Sequence, residues 1–197
     1  MNSVKSMPKL FFLRPASFIS ARLCLMALLI VGLASCGKKV DLKDPKHYQK
    51  GPISFNYPAN WSIDQEQADD DIQYIVIESP GSGLFVVQAH TSAYAMDLND
   101  FAEWFSEEAA ANMPIVKRSI GEFTPIEALP SKALKAGIAE DFSISLFGQQ
   151  VPHKAAYYLA EEGDLHAFII TQYREDISTE LAPGYKLIFD TLKVAPL

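Results

Sequence analysis

Large apolar residues in this chain recur at every second position through the stretches up to residue 92. They recur every three to four positions between 97 and 113, and at every second position again from 142. A strand sends successive side chains to opposite faces, whereas a helix returns to one face every 3.6 residues, so each stretch is confined to one kind of element. Ile53, Phe55 and Tyr57 alternate with Ser54 and Asn56 as in a half-buried strand, and Pro58-Ala59-Asn60 turns the chain into Trp61. Residues 72–79 and 84–92 are two β-rich runs joined across Pro80-Gly81-Ser82-Gly83, which reads as a hairpin. In 97–113 the residues Phe101, Trp104, Phe105, Ala109 and Met113 are expected on one buried helical face, with Asp97 as cap and Pro114 as stop. Phe142, Ile144 and Leu146 alternate with Ser143 and Ser145. Residues 154–160 and 165–173 form a second hairpin through Glu161-Glu162-Gly163-Asp164. A last helix, with Pro183 near its start, places Tyr185, Ile188, Phe189 and Leu192 on one side. Hairpins with two amphipathic helices give an α+β class, an antiparallel β-sheet with helices packed on it.

The first 35 residues stand outside that pattern. Lys5, Lys9, Arg14 and Arg22 occur there without any Asp or Glu, and residues 23–33 (LCLMALLIVGL) contain no charged or hydroxyl side chain. An apolar run of 11 residues suits a secretory signal better than a transmembrane helix, which needs about 20. It ends in Leu33-Ala34-Ser35-Cys36-Gly37, which resembles the lipobox of bacterial lipoproteins. The resemblance implies cleavage between Ser35 and Cys36, a thioether-linked diacylglycerol on Cys36, and fatty acid such as palmitate on the new amino group. In enteric-type cells an Asp after the lipidated cysteine favours the inner membrane. Gly37 stands there instead, so the outer membrane is expected, with the domain facing the periplasm.

The expected organisation is a signal peptide over 1–35, a lipidated cysteine with a flexible tether over 36–50, and one globular domain over 51–197. The tether reading rests on the polar, Pro45-interrupted sequence of residues 37–50. Cys24 falls in the signal and Cys36 carries lipid, so no disulfide is possible in the folded part. Maturation leaves 13 Lys and Arg against 24 Asp and Glu, a formal charge of −11. That balance argues against nucleic acid and against an electrostatic grip on anionic lipid headgroups. Acyl chains are then the anchor.

The segment Phe55-Asn56-Tyr57-Pro58-Ala59-Asn60-Trp61 resembles the opening signature of the PsbP-like fold, a strand written F-x-Y-P-x-x-W. Residues 185–194 (YKLIFDTLKV) are similar to its closing helix and short strand. The likeness covers about residues 51–194, and DcrB-type lipoproteins are the nearest named group. It implies a small α/β/α sandwich and work as an accessory or assembly factor rather than a catalyst. No ligand position of that family finds a counterpart here.

Motifs for catalysis are not found. The mature part has no G-x-S-x-G elbow, P-loop, H-E-x-x-H or C-x-x-C. His47, His90, His153 and His166 are not spaced for a local metal site, although His90 and His166 are placed to meet across a sheet. Asp69-Asp70-Asp71 reads as a solvated turn. Catalytic residues, metal and cofactor are therefore expected to be none. The expected function is a membrane-anchored, non-catalytic accessory or binding module of the cell envelope, with an envelope protein as partner. Two other readings are a periplasmic hydrolase with a dispersed site and a carrier of a small apolar ligand.

Overall fold

The structure, a computed structural model, describes residues 39–68, 72–91, 96–113 and 116–196. Both expected hairpins close. Strands β4 (Ile72–Glu78) and β5 (Leu84–Thr91) pair antiparallel across the Pro80-Gly81-Ser82-Gly83 turn, where Ser82 takes a left-handed φ of 64°. Strands β9 (Gln149–Glu162) and β10 (Leu165–Arg174) pair around Gly163 and Asp164, with Gly163 at φ 59°.

The hairpins join through β5 and β10, which pair antiparallel in the middle of the main sheet. Its order is β3-β4-β5-β10-β9-β8-β6, where β3 is Ser62–Ala68, β6 is Lys117–Arg118 and β8 is Ala136–Leu146. β7 (Glu122–Pro125) adds to β8 beside β6. Strand β3 bulges between Ile63 and Gln65 and carries Asp64 and Glu66 on the outer edge, devices that discourage another chain from pairing there.

Each face of this sheet buries a separate core. Helix α1 (Leu98–Ala111) covers one face, where Leu98, Phe101 and Ala102 meet Val76, Val86, Ile138, Phe142, Tyr157, Phe168 and Ile170. Phe101 stacks on Phe168 with centroids 3.9 Å apart and planes 4° from parallel. Asp97 caps the helix, its carboxylate accepting from the Asp100 amide at 3.0 Å. Helix α2 (Ser178–Thr191) covers the other face through Leu181, Tyr185, Ile188 and Phe189. Beyond it, β1 (Lys46–Lys50), β2 (Ile53–Tyr57) and β11 (Lys193–Val194) form a small antiparallel sheet in the order β1-β2-β11. The result is the expected α+β architecture, an antiparallel sheet between two helices.

Four expectations change. Trp104 is 45% exposed rather than buried. The buried stripe runs through Leu98, Ala102 and Ala109, and Trp104 lies about 120° round the helix from Leu98 at 3.6 residues per turn. Phe105 and Met113 are only partly buried against that core. The closing helix starts at Ser178, so Pro183 sits more than a turn inside it and leaves the Thr179 carbonyl without its usual donor. Finally, residues 46–50 are strand rather than tether, because Tyr48 is buried against Phe55 with ring centroids 5.1 Å apart. Asp69, Asp70, Asp71 and Pro114 lie outside the described residues, as do Ser35 and Cys36.

Trp61 is fully buried at the join of the layers, edge-on to Tyr185 at 5.1 Å. A Cβ on Gly184 of α2 would lie 2.5 Å from the Trp61 ring and 3.1 Å from Pro58. Gly184→Ala gains about 1 kcal/mol of helix propensity. Forcing a buried indole aside costs about 1–3 kcal/mol, and the indole has no flexible end to yield. Urea denaturation is therefore expected to find Gly184→Ala less stable than wild type, whereas an alanine at an exposed helical site would be neutral or better.

Candidate functional site

A carboxylate placed among core residues needs partners, and Glu140 has them. On β8 it shares a face with Ile138, Phe142 and Ile144, and it is fully buried. Its Oε1 accepts from the Ser106 hydroxyl at 2.8 Å, from Arg118 Nη1 at 3.2 Å and from the Gly121 amide at 3.0 Å. Its Oε2 accepts from Arg118 Nη2 at 2.9 Å and from the Tyr157 hydroxyl at 2.7 Å. Both charged side chains have zero exposure. Arg118 also donates to the Ser106 hydroxyl and, at 3.3 Å, to the Ser106 carbonyl. Its guanidinium lies 3.7 Å from the Phe142 ring centroid, and Phe142 stacks in turn on His153 at 5.3 Å.

Four elements supply this cluster: α1 through Ser106, β6 through Arg118, β8 through Glu140 and β9 through Tyr157. Gly121 is required between β6 and β7, since a Cβ there would lie 2.0 Å from the Asp141 carbonyl oxygen. Burial alone would push the Glu140 carboxyl up. The hydrogen bonds and charge of Arg118, with the Gly121 amide and the Tyr157 hydroxyl, outweigh it and hold Glu140 below its ordinary value. Burial and the adjacent Glu140 raise the Tyr157 phenol far above its own. The chemistry of this arrangement is clamping, because each oxygen of Glu140 is already saturated by protein donors.

The histidines expected to meet do so. His166 on β10 is directly opposite His90 on β5. His166 Nδ1 lies 3.2 Å from Glu161, and His90 packs against Phe168 at 5.4 Å. Burial and then the neighbouring His166 push the His90 imidazole below its ordinary value. His153 is also lowered, chiefly by burial. His47 accompanies Asn56 at 2.7 Å on the small sheet. Among the described residues, no group of three or more His, Cys, Asp or Glu is arranged to hold a metal ion.

A shallow open groove of about 310 Å³ lies over β8 and β9, lined by Ser119, Asp141, Ser143, Pro152, His153 and Lys154. Lys154 is paired with Asp141 at 3.0 Å and with Glu175 at 3.4 Å. At the end of the same strand pair, Phe147 and Gly148 form a two-residue turn with φ values of 51° and 83°. Phe147 is 93% exposed. Left-handed backbone at both turn positions favours Asn-Gly, and an aromatic side chain pays strain there without any compensating burial. Neither the Glu140 cluster nor the strained Phe147 was among the residues singled out in the sequence.

Comparison with protein-family models and with curated proteins finds no match. Among solved structures, cyanobacterial PsbP (CyanoP) from Synechocystis sp. PCC 6803 aligns with a TM-score of 0.51 at 12% identity, covering 82% of this chain and 98% of that one. LpqN of Mycobacterium tuberculosis, described as involved in cell envelope biogenesis, aligns at 0.41 and 13% identity, covering 81% and 90%. A structure from Bacteroides thetaiotaomicron aligns at 0.42 and 13%, covering 73% of this chain and 45% of that one. The likeness to CyanoP shows that the domain has the PsbP-like fold, as its F-x-Y-P-x-x-W segment implied.

Two predictions come from this geometry. A depressed carboxyl adds stability that is present above its unfolded pKa and lost as pH falls through the folded value. Unfolding free energy should therefore drop as wild type is acidified below about pH 4.5, the ordinary glutamate value. In Glu140→Gln that acid step should shrink, and at pH 7 the variant should be destabilised by about 3–5 kcal/mol, the usual cost of breaking a buried pair. Phe147→Asn, in contrast, should raise stability by about 1 kcal/mol, because it relieves left-handed strain and gives up no packing. Thermal and urea denaturation of the two variants across pH checks both.

Proposed function

We propose that this chain is a lipid-anchored, non-catalytic accessory or binding module of a bacterial cell envelope. Lipid on Cys36 holds it to a membrane, by preference the outer membrane, with the domain facing the periplasm. The observation that carries the binding role is Phe147: a fully presented aromatic ring at a hairpin tip, kept on left-handed backbone that Asn would hold at lower cost. Strain of this kind is retained where a side chain is needed for contact. Two further exposed apolar residues, Trp104 on α1 and Ile120 between β6 and β7, are carried by elements that pack on the same β8 strand. The Glu140 cluster supports the reading by fixing those elements in place. The basic, apolar and Leu-Ala-Ser-Cys order of the first 36 residues supports the anchor.

Mass spectrometry of the mature amino terminus tests the anchor. Wild type is expected to begin at a diacylglyceryl-modified Cys36, and Cys36→Ser to lose both lipid and cleavage while keeping its fold. An unmodified wild-type terminus overturns the anchor. A photo-crosslinking residue at position 147, activated in intact cells, tests the binding role. A discrete adduct with an envelope protein is expected, and no adduct at 147 where a crosslinker placed elsewhere gives one contradicts it.

A further inference from the structure

The connection between the anchor and the domain is short. Asn60, in the turn of the Phe55 to Trp61 signature, donates through Nδ2 to the Lys39 carbonyl at 2.9 Å and accepts from the Asp41 amide at 2.9 Å. The Asp41 carbonyl accepts from the Ala59 amide at 2.9 Å, and Val40 packs against the core beneath α2. The chain is therefore held to the fold from Lys39 onward. Three residue steps separate Cys36 from Lys39, a reach of about 11 Å at 3.8 Å per step. A lipid on Cys36 leaves the domain no room to stand off from its membrane.

The docked segment suits that position. Residues 39–46 hold Lys39, Lys43 and Lys46 against the exposed Asp41 and Asp44, a local formal charge of +1 in a mature chain that carries −11. Leu42 is 45% exposed, between Lys39 and Lys43, both exposed. Among the described residues neither lysine is in an ion pair, while Lys46 is committed to the Trp61 carbonyl at 2.8 Å and to the Tyr57 ring. An apolar side chain between free cations matches the boundary of an anionic bilayer, with the leucine at acyl-chain depth and the ammonium groups among headgroups.

We infer that residues 39–46 form a foot that rests on an anionic phospholipid surface and fixes the orientation of the domain against its own membrane. This rests on lipidation of Cys36, and it concerns orientation rather than anchoring. The foot places the Asn60 corner against the bilayer. Helix α1, on the opposite face of the main sheet from α2, is then held away from it.

The test uses the mature lipoprotein in vesicles of phosphatidylethanolamine and phosphatidylglycerol containing nitroxide-labelled lipid. Bimane is attached at Leu42→Cys or, as comparator, at Glu107→Cys on the exposed side of α1. Quenching several-fold stronger at 42 than at 107 is expected. Lys39→Glu with Lys43→Glu, or vesicles of phosphatidylcholine alone, should weaken quenching at 42 several-fold and leave 107 unchanged; quenching at 42 that neither change alters overturns the foot. Equal quenching at the two positions, with protein retained on the vesicles, overturns the foot and leaves the anchor intact. Protein that does not stay with the vesicles and lacks diacylglycerol by mass overturns the anchor. Shielding of position 42 only when envelope proteins are added assigns the segment to a protein partner and overturns the bilayer.

Discussion

One buried ion pair organises half of this molecule. Moving Glu140 and Arg118 out of water carries a desolvation cost of several kcal/mol per ion, which their attraction offsets only if the remaining donors and acceptors are matched. The matching is what draws the surrounding elements together. Ser106 brings in α1, Gly121 the turn between β6 and β7, and Tyr157 the neighbouring strand β9. A two-residue strand such as β6 has little pairing of its own, and Arg118 gives it a fixed place. The exposed Ile120, Trp104 and Phe147 belong to elements ordered by this cluster, so a sealed network determines what the surface presents.

The other face is organised by aromatic packing. Trp61 sits between Tyr185 and the glycine that lets α2 approach it, while Phe55 touches Tyr48, Tyr57 and Phe85. Asn60, one residue before that tryptophan, fastens the incoming chain. Core, turn and entry point are thus set by one seven-residue segment. That continuity ties the packing of the second core to the point where the chain enters the domain.

Much of this was legible from residue spacing. Alternation and turn residues located both hairpins, and the Asp97 cap and the stripe through Phe101 and Ala109 located α1. Where the reading missed, long-range contacts decided. Residues 46–50 show one aromatic among lysines, and nothing local reveals that Tyr48 packs on Phe55. Trp104 was assigned by hydrophobicity, yet the helix phase turns it toward water. Glu140 carried a usable signal, a charge in phase with Ile138, Phe142 and Ile144, but its partners come from three other elements that spacing cannot bring together.

The direct test of the organising role is a double-mutant cycle on Arg118→Met and Glu140→Leu, measured by urea denaturation at pH 7. Each single change strands a buried charge and should cost about 3–5 kcal/mol. The double variant should cost less than the sum, with a coupling of about 2–3 kcal/mol. Single losses below about 0.5 kcal/mol, the level of ordinary surface substitutions, or simple additivity, would contradict the account.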